Sequence, residues 1–281
     1  MKKRGTRVEE PATNGSRVTG GQRAFRTLSS LALLLSFLLL SACAHHNPLA
    51  KWERSPNFDT RRPVVVVLHY TAGKTAEGSL RTLQTANSNG PVSAHYLLGK
   101  DGTLYQLVDE DKRAWHAGDG RWGTITDLNS ASIGIEIDND GYTPFPDVQI
   151  EKLIVLLDDV TRRQGIPREQ VIGHEDLAPG RKIDPGPLFP WKRLHDAGFG
   201  IWPDPAAGDP PPEFDGWLAM AAIGYPLDDR ANALQSFRHH FRGMRSQGAE
   251  LDAEDLRILY GLSRPLLRSP AVPAAVPANT P

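Results

Sequence analysis

At 281 residues, 40% hydrophobic and 23% charged, the chain has room for one good-sized domain and a smaller one. A net charge of −1 carries no basic excess to neutralise phosphates, which excludes nucleic acid as the main partner. The single cysteine excludes an internal disulfide.

The first 26 residues carry seven Lys or Arg, and a nearly unbroken apolar run over 28–40 (LSSLALLLSFLLL) follows. That run is short of the roughly 20 residues that span a bilayer and fits the core of a secretory signal. It ends in Leu40-Ser41-Ala42-Cys43, which resembles the bacterial lipobox, where the cysteine is lipidated and heads the mature chain. Residues 1–42 are thus expected to be a lipoprotein signal peptide and Cys43 the lipid-bearing membrane anchor. The alternative is a plain signal with an incidental cysteine. Ala44 in place of Asp after the cysteine points, under the sorting rule of enteric lipoproteins, to an outer-membrane protein facing the periplasm. Cleavage there removes seven positive and two negative residues and leaves a mildly acidic chain.

Residues 43–62 are polar and unpatterned and read as a tether, with His45 and His46 as exposed tether histidines. Residues 63–68 (PVVVVL) form a β-branched run without alternation, the pattern of a strand buried on both faces. The run ends in His69, Tyr70 and Thr71, and residues at a central strand's end are placed to face a cleft. Residues 77–87 have helical spacing, 92–98 a strand, 99–102 a hairpin turn with two glycines, and 103–108 the returning strand. The loop over 114–118 carries Trp115 and His116. Residues 132–138 (SIGIEID) alternate, with Ile133, Ile135 and Ile137 on one face and Ser132, Gly134, Glu136 and Asp138 on the other. A glutamate in a central strand is out of place as structure, because an unpaired buried carboxylate is costly.

Residues 147–163 read as an amphipathic helix with Asp147 able to cap it and Gly165 ending it. The next strand delivers His174 into 171–191 (VIGHEDLAPGRKIDPGPLFPW), where Lys182 and Asp184 follow on a proline-rich loop. Linker 201–212 is rich in Pro and Asp, 213–263 holds three short helical segments forming a small bundle, and 264–281 is a Pro/Ala-rich, disordered tail. The expected architecture is α/β: a mixed central β-sheet flanked by helices over 63–200, plus a small C-terminal three-helix bundle.

His174 and Asp184 suit a metal ion but are too few for a catalytic zinc, which typically takes three protein ligands and one water. His69 at the end of the 63–68 strand is the natural third; a satisfied core histidine is the alternative reading of that residue. Two imidazoles and one carboxylate would leave one Zn2+ a Lewis acid with an acidified water. Glu136 is the carboxylate placed by pattern near that cleft and could move protons. Lys182 could stabilise an oxyanion.

The segments LHYTA, SAHYLLGKDGTLYQLV, AWHAG, SIGIEIDN and GHEDLAPGRKIDPGPLFPW together resemble the zinc-dependent N-acetylmuramoyl-L-alanine amidases, the AmpD/AmiD group, over residues 63–195. With the lipobox and the C-terminal helices, the likeness is to the AmiD-type lipoprotein amidases. Residues 213–263 are more loosely similar to peptidoglycan-binding three-helix domains. The resemblance implies zinc ligands at His69, His174 and Asp184, a catalytic glutamate at Glu136 and a transition-state lysine at Lys182. It also implies peptidoglycan or muropeptides as substrate, cleaved between N-acetylmuramic acid and L-alanine; the chain is expected to act as a monomer. The rival reading is a non-catalytic peptidoglycan recognition protein, against which the intact ligand set counts. Tyr70, Thr71, His95, Trp115, His116 and Arg181 are candidate substrate contacts. His195, His239 and His240 read as structural or solvated.

Overall fold

The computed structural model describes residues 47–60, 63–87, 90–245 and 248–267. The expected signal peptide, Cys43, His45, His46 and the part of the expected tail beyond residue 267 lie outside the described residues. From residue 47 onward the described chain is one compact unit. No helix among the described residues is long and apolar enough to cross a membrane.

In chain order the elements are strands β1 (Lys51–Trp52), β2 (Phe58–Thr60) and β3 (Val65–Tyr70), helix α1 (Ala76–Gln84), and strands β4 (Ala86–Asn87), β5 (Gly90–Pro91), β6 (Tyr96–Leu98), β7 (Leu104–Gln106) and β8 (Lys112–Ala114). Then come α2 (Leu128–Ala131), β9 (Ser132–Ile137), α3 (Asp147–Gln164), β10 (Val171–Gly173), α4 (His174–Leu177), α5 (Trp191–Asp196), α6 (Gly216–Ile223), α7 (Arg230–Arg242) and α8 (Ala253–Leu267). Six strands form one mixed sheet in the order β1-β7-β6-β9-β3-β10. The β6–β7 hairpin is antiparallel, and β6, β9, β3 and β10 run parallel.

Val65 to Leu68 are completely buried, as the unbroken apolar run requires. Their alternate side chains enter two different cores. Val66 and Leu68 join Ile133, Ile135 and Ile137 against α3 and α5. Val65 and Val67 join Leu177, Met220, Leu234, Phe237 and Leu259 on the opposite face. Helix α3 ends at Gly165 in the left-handed conformation (φ 66°), where glycine escapes the Cβ penalty.

Several sequence expectations shift. Asp147 does not cap α3; Pro146 takes the N-cap position without a side-chain bond, and Asp147 pairs with Arg193 of α5 at 2.5 Å. The segment expected to be a tether, 43–62, contributes to the fold. Its Lys51–Trp52 pairs parallel with β7 as the edge strand, and Asn47 is buried. The Asn47 main-chain N–H donates to Gln106 Oε1 (2.6 Å) and its amide to Asp159 Oδ2 (2.7 Å). Polarity hid this because an edge strand needs main-chain pairing more than apolar side chains. The C-terminal helices do not close on themselves alone. Their apolar residues and those of β3 and β10 form one cluster, with no core of their own separating them from the sheet. Helix α8 runs on to Leu267, so the first four residues of the expected tail belong to it.

Candidate metal centre

Strand register assembles the site. His69 on β3 lies directly beside Glu136 on β9, both on the sheet face opposite α3. Gly173 pairs with Leu68, so the chain leaving β10 starts α4 with His174 level with His69. The loop after α4 then brings Asp184 over both histidines. His69 Nδ1 and His174 Nδ1 each lie 3.0 Å from Asp184 Oδ2, and the three side chains are almost fully buried. One ligand atom from each of the three residues lies within 4.8 Å of the other two.

The outer nitrogens fix which form these rings take. His174 Nε2–H donates to Ala117 O at 2.8 Å, leaving Nδ1 as a lone pair. For His69 the fixing runs through a relay. The Ser132 hydroxyl donates to Leu128 O, and His116 Nε2 faces the Ser132 oxygen at 3.4 Å. With that ring nitrogen as donor, His116 Nδ1 is an acceptor, and it lies 3.0 Å from His69 Nε2. His69 therefore donates through Nε2 and also turns a lone pair toward Asp184. Two imidazole lone pairs and a carboxylate oxygen converge with no hydrogen among them, an arrangement that calls for a cation. Neighbouring corners of a zinc tetrahedron lie about 3.3 Å apart for bonds of about 2.0–2.1 Å, so the donor spacing suits that ion.

The charge state fits as well. Burial, with His174 nearby, lowers the His69 pKa to about 4 against the pull of Asp184, keeping it neutral at pH 7. Glu136 is raised to about 8 by burial and by Asp184, with Lys182 opposing. Its Oε2 is buried without a hydrogen-bond partner among the described residues. Lys182 also lines the cleft, and its side chain has no hydrogen-bond or ion-pair partner among the described residues.

The cleft has a volume of about 580 Å³ and includes Tyr70, Thr71, Trp115, His116 and Arg181 on its walls. Thr71 also shapes its own loop, donating to Asp138 Oδ1 (3.2 Å) and accepting from Gly73 N–H (3.1 Å). His116 is a support beneath His69 as much as a wall. Arg181, a candidate substrate contact, is tied to the cleft wall by its guanidinium, which donates to the main-chain oxygens of Ala117 (2.7 Å) and Asp119. His95 departs furthest: it is wholly buried and lies off the cleft, with Nδ1 accepting from Gly134 N–H (2.9 Å) and Nε2 at 3.0 Å from Lys112 O. It is a core histidine that ties three strands together.

The sequence reading passed over several supporting residues. Gly134 gives His116 its space, because a Cβ there would come within 2.4 Å of the imidazole. Its visible signal was a glycine two residues before Glu136 on the same face of the strand. Glu175 and Asp176 follow His174 directly and are fully buried, and their partners are His239 and His240 of α7. Two adjacent acids beside a ligand were the signal there.

A mixed sheet whose strand ends hold two imidazoles and a carboxylate, with a second carboxylate and a lysine in the same cleft, defines a site able to carry out metal-assisted hydrolysis. A family model described as N-acetylmuramoyl-L-alanine amidase (Amidase_2) matches residues 59–187. The N-acetylmuramoyl-L-alanine amidase AmiD of Escherichia coli is 36% identical over 271 residues, covering 82% of this chain and 95% of that protein. Among solved structures, E. coli AmiD in complex with anhydro-N-acetylmuramic acid-L-Ala-D-gamma-Glu-L-Lys superposes with a TM-score of 0.63 at 34% identity, covering 79% of this chain and 91% of the other. AmpDh3 of Pseudomonas aeruginosa, in complex with anhydromuramic pentapeptide, gives 0.64 at 34% identity, over 74% and 93%. The chain belongs to the N-acetylmuramoyl-L-alanine amidase family.

Proposed function

We propose that this chain is a zinc-dependent amidase that cuts the bond between N-acetylmuramic acid and L-alanine in peptidoglycan or its fragments, with His69, His174 and Asp184 holding one zinc ion. The observation that carries the reading is the convergence of His69 Nδ1, His174 Nδ1 and Asp184 Oδ2 with both imidazoles fixed as acceptors. Muropeptide ligands in the related AmiD and AmpDh3 structures support the substrate class.

A zinc ion bound there supplies Lewis acidity toward the amide carbonyl and lowers the pKa of water. Glu136, beside His69, takes the proton from the attacking water and returns it to the departing alanine nitrogen. Its lack of a partner on Oε2 leaves that oxygen available for the transfer. Lys182 places a cation on the cleft wall for the oxyanion of the tetrahedral intermediate. Tyr70, Thr71, Trp115 and His116 shape the groove around the scissile bond. The helices over 213–263 add glycan contacts from their outer side, where Arg230 lies over the ring of half-buried Trp217.

The enzyme works as a monomer tethered through a lipid on Cys43, at the outer membrane and facing the periplasm. Density separation of membranes tests that placement; recovery with the inner membrane, or no change in fractionation for Cys43→Ser, contradicts it. The activity itself is tested by mass spectrometry of products from an anhydromuropeptide. A free stem peptide beginning with L-alanine is the expected product. Cleavage at any other bond, or intact substrate, refutes the reading.

A further inference from the structure

Two buried carboxyl groups stand directly behind the metal ligands, and the catalytic steps do not use them. Glu175 and Asp176 are the residues after His174, with essentially no exposed surface. Each holds main chain on either side of a ligand. Glu175 N–H donates to Asp184 O (2.9 Å), and Glu175 Oε1 accepts from Gly186 N–H (3.2 Å), so this one residue grips both ends of the short segment that presents Asp184. Asp176 Oδ2 accepts from Gly173 N–H (2.7 Å), fixing the turn from which His174 projects.

Both carboxyl groups also face the C-terminal helices: Glu175 through its second oxygen, and Asp176 through both of its oxygens. His239 Nδ1 lies 2.7 Å from Glu175 Oε2, and His240 Nδ1 lies 2.8 Å from Asp176 Oδ2. The Tyr225 hydroxyl donates to Asp176 Oδ1 at 2.6 Å. His240 is also stacked on Trp191 with ring centroids 3.8 Å apart, which prevents the ring from turning away from its partner. Adjacent residues on a helix point about 100° apart, yet both histidines of α7 are buried and both meet an acid from the same short turn. Simple core filling would be served by apolar residues; two adjacent imidazoles matched to two adjacent acids serve orientation.

We infer that helix α7 is a working part of the metal centre, with His239 and His240 acting as positioning residues that hold His174 and Asp184 through Glu175 and Asp176. This inference rests on the zinc reading above and extends it to a part of the chain that follows the amidase family match. Ligands that must converge within about 3 Å depend on the groups that orient them, and loss of such support typically weakens metal affinity 10- to 100-fold.

The test uses the full-length chain, stripped of metal, and measures zinc affinity by competition with a chelating dye alongside the thermal midpoint of the metal-free protein. His239→Leu and His240→Leu each weaken zinc binding at least 10-fold. His239→Asn and His240→Asn, whose amides can donate or accept at the Nδ1 position, stay within about 3-fold of wild type. Tyr225→Phe removes only a hydroxyl and weakens binding several-fold, with cobalt-substituted protein showing an altered visible spectrum. If the Leu variants do not fold, Tyr225→Phe and the Asn rescue decide the matter. Wild-type zinc affinity and an unchanged cobalt spectrum in Tyr225→Phe, or in folded Leu variants, overturn the inference. A wild-type protein that binds no zinc refutes the metal reading itself, which is a different result from variants that bind as well as wild type.

Discussion

His116 and Gly134 show how much of the centre lies one step behind its ligands. The His69 ring turns its Nδ1 lone pair inward because His116 accepts from its Nε2–H, and His116 can stand there only because residue 134 has no side chain. Gly134→Ala should therefore displace His116 and weaken zinc affinity about 10- to 100-fold, read by chelator competition. An unchanged affinity would show that the relay does not set the His69 ring. Glu136→Gln should retain zinc but lose about 10²–10⁴-fold in kcat, and Lys182→Ala about 10²–10³-fold. Near wild-type peptide release by either variant would remove that residue from the mechanism.

The pH dependence follows from the same glutamate. Its folded-state pKa, raised by burial to about 8, lies above the ordinary 4.5, so the folded protein holds this proton more readily than the unfolded chain. That proton-linked stability of the metal-free protein is fully present below pH 4.5 and is lost as pH rises to about 8. Glu136→Gln removes the dependence, so metal-free variant and wild type should differ little near pH 4.5 and the variant should be the more stable above pH 8. Thermal midpoints across that range test this; equal midpoints at pH 8.5 contradict it. In the zinc-loaded enzyme the nearby cation favours the carboxylate, so the acid limb of kcat/KM should fall below pH 8.

Elements differ in how openly the sequence declares them. The run over 63–68 and the alternation over 132–138 announced β3 and β9, and the placement of His69 and Glu136 followed from them. Helix α3 and its stop at Gly165 were legible for the same reason, a strong period closed by a residue that tolerates positive φ. What stayed hidden depended on partners distant in sequence. The edge strand β1 is polar and two residues long, and only its pairing with β7 makes it a strand. His95 resembled a groove residue because a histidine next to a buried strand carries no mark of where its nitrogens go; Lys112 O and Gly134 N–H take both. Arg181 could be separated from a surface arginine only by seeing the carbonyls of Ala117 and Asp119. At helix starts the local chemistry was a divided guide, since Asp147 does not cap α3 whereas Asp229 caps α7. Asp229 accepts from Asn232 N–H at 3.1 Å at the start of α7, so Asp229→Ala should cost about 1 kcal/mol in a denaturant titration. No loss would mean another group caps that helix.

At the scale of the molecule, the C-terminal helices are bound into the sheet. Val65, Val67 and Ile172 on one side and Leu234, Phe237 and Leu259 on the other belong to a single buried cluster. The proline-rich stretch over 201–212 suggested a separable module, because composition marks a linker but not what packs across it. A chain ending at residue 212 should expose that apolar face and aggregate or lose cooperative unfolding. A soluble, cooperatively folding truncation would contradict the shared core.

The central claim is that one zinc ion on His69, His174 and Asp184 enables amide cleavage, and stoichiometric titration tests it most directly. Metal-stripped protein, given zinc stepwise, should release stem peptide from anhydromuropeptide in proportion to added metal and reach a plateau at one equivalent. His69→Ala, His174→Ala and Asp184→Ala should show no such rise at the same zinc concentrations. Full peptide release by the stripped protein, or an undiminished titration in any of the three variants, would contradict the account.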